Sequence, residues 1–169
     1  MRVGITGHQD LGTPDDVEWV TEQLRTRVNS QTLHAGVTSL AIGADQLYAS
    51  LLTLYQKPFT ALIPCRHYES TFTTPQHLER YRVLLEQADE VVYLPFDEPS
   101  SQVFWEAGQR VVESSDYMIA VWNGLPAKGL GGTGDVVRHC LDLGRAVLHI
   151  NPRTRQVEEL IETARPERP

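Results

Sequence analysis

Short apolar runs rich in β-branched residues alternate along the chain with longer segments whose apolar residues recur every three or four positions. That alternation predicts strands interleaved with helices. The strand-like runs are RVGIT (2–6), TSLAI (38–42), FTALI (59–63), EVVYLP (90–95), DYMIAVW (116–122) and AVLHI (146–150). Several are apolar on both faces, as strands covered by helices on each side should be.

Between them, polar signals mark where helices start and stop. Thr13, Pro14, Asp15 and Asp16 supply an N-cap, a first-position proline and an acidic first turn, and Val17, Val20, Leu24 and Val28 follow at helical spacing. Leu47, Leu51 and Leu54 repeat the rhythm after Asp45, as do Leu78, Tyr81 and Leu85 after Pro75. Val103, Ala107 and Val111 predict a fourth helix capped by Ser100 or Ser101. Val136, Val137, Cys140 and Leu141 predict a fifth, ended by Gly144 as a left-handed cap. A last helix is expected over 157–164. The segment PCRHYESTFTTPQ (64–76) has no clear pattern and reads either as a mobile flap over a site or as an ordinary surface connection.

The expected fold is therefore α/β: a single three-layer domain over residues 1–165, with a mostly parallel sheet of about six strands and helices on both faces. Residues 166–169 are expected to form a frayed tail. A length of 169 residues suits one domain with a sizeable core.

Charge and composition narrow the function classes. The formal net charge is -7, and an acidic surface repels phosphate backbones, so no nucleic-acid partner is expected. Cys65 and Cys140 match no metal spacing and read as reduced thiols of a bacterial-type cytoplasmic protein. The histidines form no HxxxH or HExxH pattern, so no metal site is expected. No apolar leader or bilayer-length run is visible, so no membrane partner is expected either.

In an open parallel sheet, ligands bind beyond the carboxyl ends of the strands, where helix N-termini point. Three such ends bring glycines together with small polar groups. The first is GHQDLG, which offers Gly7, His8 and Gln9. The second is GADQ, which offers Gly43, Ala44 and Asp45. The third is WNGLPAKGLGGTGD, which offers Trp122, Asn123, Gly124, Gly131, Gly132, Thr133, Gly134 and Asp135. Glycines there let backbone amides approach an anion, and a helix starting directly behind adds unpaired donors and partial positive charge. Asp45 either caps its own helix or faces the ligand, and Trp122 is either core or a platform for a base. No GxGxxG, no acid ending the second strand and no GxxxxGK[ST] is present, which demotes NAD binding and removes the P-loop reading.

GITGHQDL, AIGADQLYA and SSDYMIAVWNG…GLGGTGDVV together resemble the SLOG superfamily, the Rossmann-like group that contains DNA-processing protein A and the LOG-type nucleotide hydrolases. The last block is also similar to nucleoside 2-deoxyribosyltransferases. The resemblance covers roughly residues 2–151 and implies a nucleotide site across the three turns, with dimerisation common in such families. LOG hydrolases have PGGxGTxxE, whereas this chain has Leu130 for the proline, Asp135 for the threonine and Arg138 for the catalytic glutamate.

These observations favour binding or sensing of a nucleotide or nucleotide derivative, such as a nucleoside monophosphate or an ADP-ribose-like molecule, with no additional cofactor. The alternative is a nucleotide N-glycosidase or (deoxy)ribosyltransferase in which Asp135 or Glu106 takes the role of the absent glutamate.

Overall fold

The computed structural model describes residues 1–161. Its elements follow in the order β1 (Arg2–Gly7), α1 (Pro14–Val28), β2 (Ala35–Thr38), α2 (Ala44–Leu54), β3 (Phe59–Ile63), a 3₁₀ turn (Tyr68–Thr71), α3 (Pro75–Gln87), β4 (Glu90–Tyr93), α4 (Ser101–Glu113), β5 (Tyr117–Val121), α5 (Thr133–Asp142), β6 (Val147–Asn151) and β7 (Gln156–Leu160). The strands form one sheet in the order β4-β3-β2-β1-β5-β6-β7, parallel throughout except for the antiparallel β6–β7 pair.

This order follows from crossover handedness. Right-handed connections step from β1 to β4 in one direction and set α1, α2 and α3 on one face. The chain then returns past β1 to place β5 on its other side, so α4 and α5 cover the opposite face. Two packed layers result. Val20, Leu24, Tyr48, Leu52 and Phe59 lie in the first, and Val111, Met118, Ala120, Val137 and Val147 in the second. Strands β3 and β6 are buried along their whole length, whereas every residue of the edge strand β4 is exposed.

The caps act as the polar signals predicted. Thr13 and Asp16 form a reciprocal capping box on α1. Thr74 and Ser100 accept from the amides of His77 and Val103, and Gly144 closes α5 with φ 70°.

Two expectations are corrected. The sheet has seven strands among the described residues, because the stretch expected to begin a helix at residue 157 is β7. The open side of β6 offers a ladder that outweighs the weak helical spacing, pairing Val147 with Leu160 and Asn151 with Gln156. Residues 162–169, which include the rest of that expected helix and the tail, lie outside the described residues. The second strand is Ala35–Thr38 and not 38–42. Leu40 takes a left-handed conformation (φ 56°) in the turn that follows, and there it buries its side chain completely. Segment 64–76, for which a flap and a surface connection were both open, carries buried Tyr68 and Phe72, which pack on Tyr81 with ring centroids 5.6 and 4.7 Å away.

Candidate functional site

The strand order reverses between β1 and β5, and there the chains leaving the two strands diverge. A cleft of about 1190 Å³ opens at this point. Gly7, His8 and Gln9 of the first turn line it, with Asp45 of the second and Trp122, Asn123, Gly131, Gly132, Thr133 and Gly134 of the third. The structure thus brings all three turns to one cavity. His8 ties two of them together: its amide donates to the Val121 carbonyl at 3.0 Å, and its Nε2 accepts from the Asn123 amide at 3.3 Å.

Five of the sequence-derived site residues do not line the cleft: Gly43, Ala44, Gly124, Glu106 and Asp135. Gly43 has φ 86°, and a Cβ there would run into the carbonyls of His8 and Gln9. The Ala44 amide donates to the His8 carbonyl at 3.2 Å, so the start of α2 is spent on supporting the first turn. Asp135 turns back on its own loop, where its Oδ2 accepts from the Gly131 amide at 3.1 Å. Glu106 accepts from Gln102 one turn earlier on α4, at 3.3 Å.

The three turns differ in electrostatics. Around the first, two of the donors are already engaged by the chain's own acids. The Gly12 amide donates to Asp10 at 2.9 Å, and the Thr13 amide donates to Asp16, also at 2.9 Å. Those Thr13 bonds hold the Asp16 carboxyl below its ordinary range, with Arg155 adding to the effect. An anion would meet carboxylates here.

The third turn has the opposite character. Among the described residues, the amides of Gly132, Thr133 and Gly134 have no hydrogen-bond partner, and they stand at the N-terminus of α5. Lys128 and Arg153 line the same cleft, and neither side chain has an ion-pair partner among the described residues. The glycines, however, serve packing as well. A Cβ on Gly132 would meet Ala127 at 2.8 Å, and one on Gly134 would meet the Ala127 amide at 3.1 Å. The space expected to be kept open for a ligand at these two positions is occupied by the preceding strap, Leu125–Ala127.

Asp45 is a brace for the β2–α2 turn and not a cap on its own helix. Its Oδ2 accepts from the Thr38 hydroxyl and the Ser39 amide, both at 3.0 Å. Burial raises its carboxyl to about 6, against the opposing pull of those hydrogen bonds. It is a buried acid on the wall of a cavity.

Sequence reasoning missed Asp10, Tyr68, Phe72, Lys128 and Arg153 as parts of the lining. Arg153 follows the end of β6, so the strand-end rule extended to one more strand would have found it. Tyr68 and Phe72 gave a weaker signal, two aromatic residues four apart inside a segment read as a loop.

No protein-family model matches the sequence, and no curated protein matches it. Solved structures do. The chain is similar to DNA processing protein A from Streptococcus pneumoniae, with TM-score 0.65 and 16% identity over 88% of this chain and 49% of that one. DNA processing protein A from Helicobacter pylori, described for its single-stranded DNA binding mode, matches with TM-score 0.62 and 16% identity over 88% of this chain and 64% of that one. The molybdenum cofactor binding protein from the phototrophic bacterium Rippkaea orientalis matches with TM-score 0.58 and 17% identity over 89% and 76%. The chain spans about half the length of the pneumococcal protein. At these identities the likeness shows the fold alone, an α/β fold shared with these structures.

Proposed function

We propose that the cleft at the strand reversal binds a nucleotide or nucleotide derivative, with its anionic end at the start of α5, and that the protein acts as a binding protein or sensor. One observation carries this reading: three successive amides and two cations, Lys128 and Arg153, all without a partner among the described residues, share one cavity. A helix N-terminus with converging positive charge is suited to phosphate even in a protein of net charge -7. The likeness to the Rippkaea protein, a molybdenum cofactor binding protein, supports a small-molecule role.

Catalysis by Asp135 or Glu106 is the weaker reading, because neither carboxylate lines the cleft. Single-stranded DNA is a second reading, favoured by the likeness to the Helicobacter protein and opposed by the acidic wall of the cleft.

Thermal unfolding with a panel of nucleotides, molybdenum cofactor and single-stranded oligonucleotides tests the proposal. A ligand at a hundredfold excess over Kd stabilises by about 2.7 kcal/mol, or roughly 5–10 °C for a chain of this size. A shift with oligonucleotides alone would replace the small-molecule reading, and no shift with any compound would reject it. Release of free base during incubation would move the assignment to an enzyme.

A further inference from the structure

On one side the sheet ends in a strand whose sequence suits an interior position. β4, Glu90–Tyr93, reads EVVY and is apolar on both faces, the pattern of a strand covered from each side. Its register with β3 sets Val91 and Tyr93 in line with Ala61 and Ile63 on the α1–α3 face, and Val92 in line with Leu62 on the α4–α5 face. Those β3 residues are buried, yet Val91, Val92 and Tyr93 are 38%, 36% and 54% exposed. The opposite edge is guarded by charge, since Glu158 and Glu159 of β7 both lie exposed. β4 contains neither lysine nor proline. Its outer ladder has no partner among the described residues. The Leu94 amide donates to the Ile63 carbonyl at 2.9 Å, and main-chain groups alternate in direction along a strand, so those of Glu90 and Val92 also face β3. Those of Val91 and Tyr93 point outward.

We infer that β4 pairs antiparallel with β4 of a second copy of this chain, about a two-fold axis beside Val92, joining two seven-stranded sheets into one. In this register Val91 and Tyr93 of each copy exchange main-chain hydrogen bonds with Tyr93 and Val91 of the other, so the outward groups are matched. Val91 packs on Tyr93 of the second copy, an aromatic–β-branched pair formed twice, and Val92 meets Val92. Charge selects the same partner and direction. Glu90 is the strand's single charge, and it is drawn inboard by the Thr60 hydroxyl at 2.9 Å and Arg2 at 3.8 Å. Opposite it stands Leu94 of the second copy, whereas parallel in-register pairing would set Glu90 on Glu90. A ladder four residues long lies at the small end of specific interfaces, so the dimer is weak, with a Kd of about micromolar or above. No β4 residue lines the cleft, so the pairing is independent of the ligand reading.

Sedimentation velocity over about 1–500 µM protein tests this by reading whether the mass rises from that of the 19.0 kDa chain to twice that value. Val92→Lys sets like charges face to face on the axis and should raise the dimer Kd about tenfold or more, with Tm unchanged because the position is exposed. Val92→Cys should form an interchain disulfide under copper–phenanthroline, since the Cα atoms of such a non-hydrogen-bonded pair lie about 4.5 Å apart. Val91→Cys should not, because it lies diagonally from its counterpart, about 7–8 Å away. Cys65 and Cys140 are buried and do not compete. A wild-type protein that stays monomeric throughout, a dimer that Val92→Lys leaves intact, or equal cross-linking of the two cysteine variants overturns the inference. The cysteine pair decides the matter should Val92→Lys not fold.

Discussion

His149, buried on β6, holds the backbone of Trp122 where β5 ends: its Nε2 donates to the Trp122 carbonyl at 2.8 Å, and the two rings lie 5.1 Å apart. Its other nitrogen, Nδ1, stands 3.1 Å from Glu158 on β7. A carbonyl only accepts, so this contact fixes the proton on Nε2. The cleft wall formed by Trp122 and Asn123 is thereby pinned to the two neighbouring strands.

Replacing His149 by Phe keeps bulk in the core but leaves the Trp122 carbonyl without its donor. The expected loss is about 1–3 kcal/mol of stability, the cost of stranding a buried acceptor. Urea denaturation with an unchanged m-value checks it. A variant as stable as wild type would show that Trp122 is held by packing alone.

Asp45 makes stability pH-dependent in a definite direction. Its carboxyl is raised from an ordinary 3.8 to about 6 in the folded chain. Between those values the native state binds more protons than the unfolded state, so this group's contribution falls as pH rises from about 4 to 6. The full swing is on the order of 3 kcal/mol. Asp45→Asn should flatten that limb of the stability profile, measured by denaturant titration at pH steps across the window. A slope equal to wild type would mean another group is responsible.

Gly43→Ala should damage the fold. The position has φ 86°, and the added Cβ would collide with the carbonyls of His8 and Gln9. Backbone strain alone is worth about 1–3 kcal/mol. Differential scanning calorimetry should show a clear drop in Tm.

Phe72→Ala removes a ring that stacks on Tyr81 and helps wall the cleft. A loss of about 3–5 kcal/mol is expected for a buried aromatic, together with faster proteolysis within 64–76. Cleavage there at the wild-type rate would mean that the segment already opens in the intact protein and would favour the flap reading.

The five helices and most of the strands were legible because caps and apolar period agreed with packing. Thr13, Ser100 and Gly144 each do what their residue type predicts. The second strand was misplaced because Leu40 and Ile42 look like strand residues but pack from a turn, while Gly36 weakens the true strand in sequence. Gly36 is tolerated there because Leu52 of α2 fills the space a Cβ would take. The stretch from Val157 read as helix for lack of its partner, since β7 forms by pairing with β6. At the site, the glycine-rich turns were legible as a set. The roles of Asp135 and Glu106 were not, because chain spacing says nothing about whether a carboxylate faces a cavity or its own loop.

The strand order has a kinetic consequence. The cleft lies between β1 and β5, whose register joins Gly7 to Val121. Closing so long a loop is entropically slow, and contacts of such sequence separation form late. During synthesis the first turn must therefore wait for β5 to emerge from the ribosome, and a nascent chain truncated before β5 lacks one wall of the cleft.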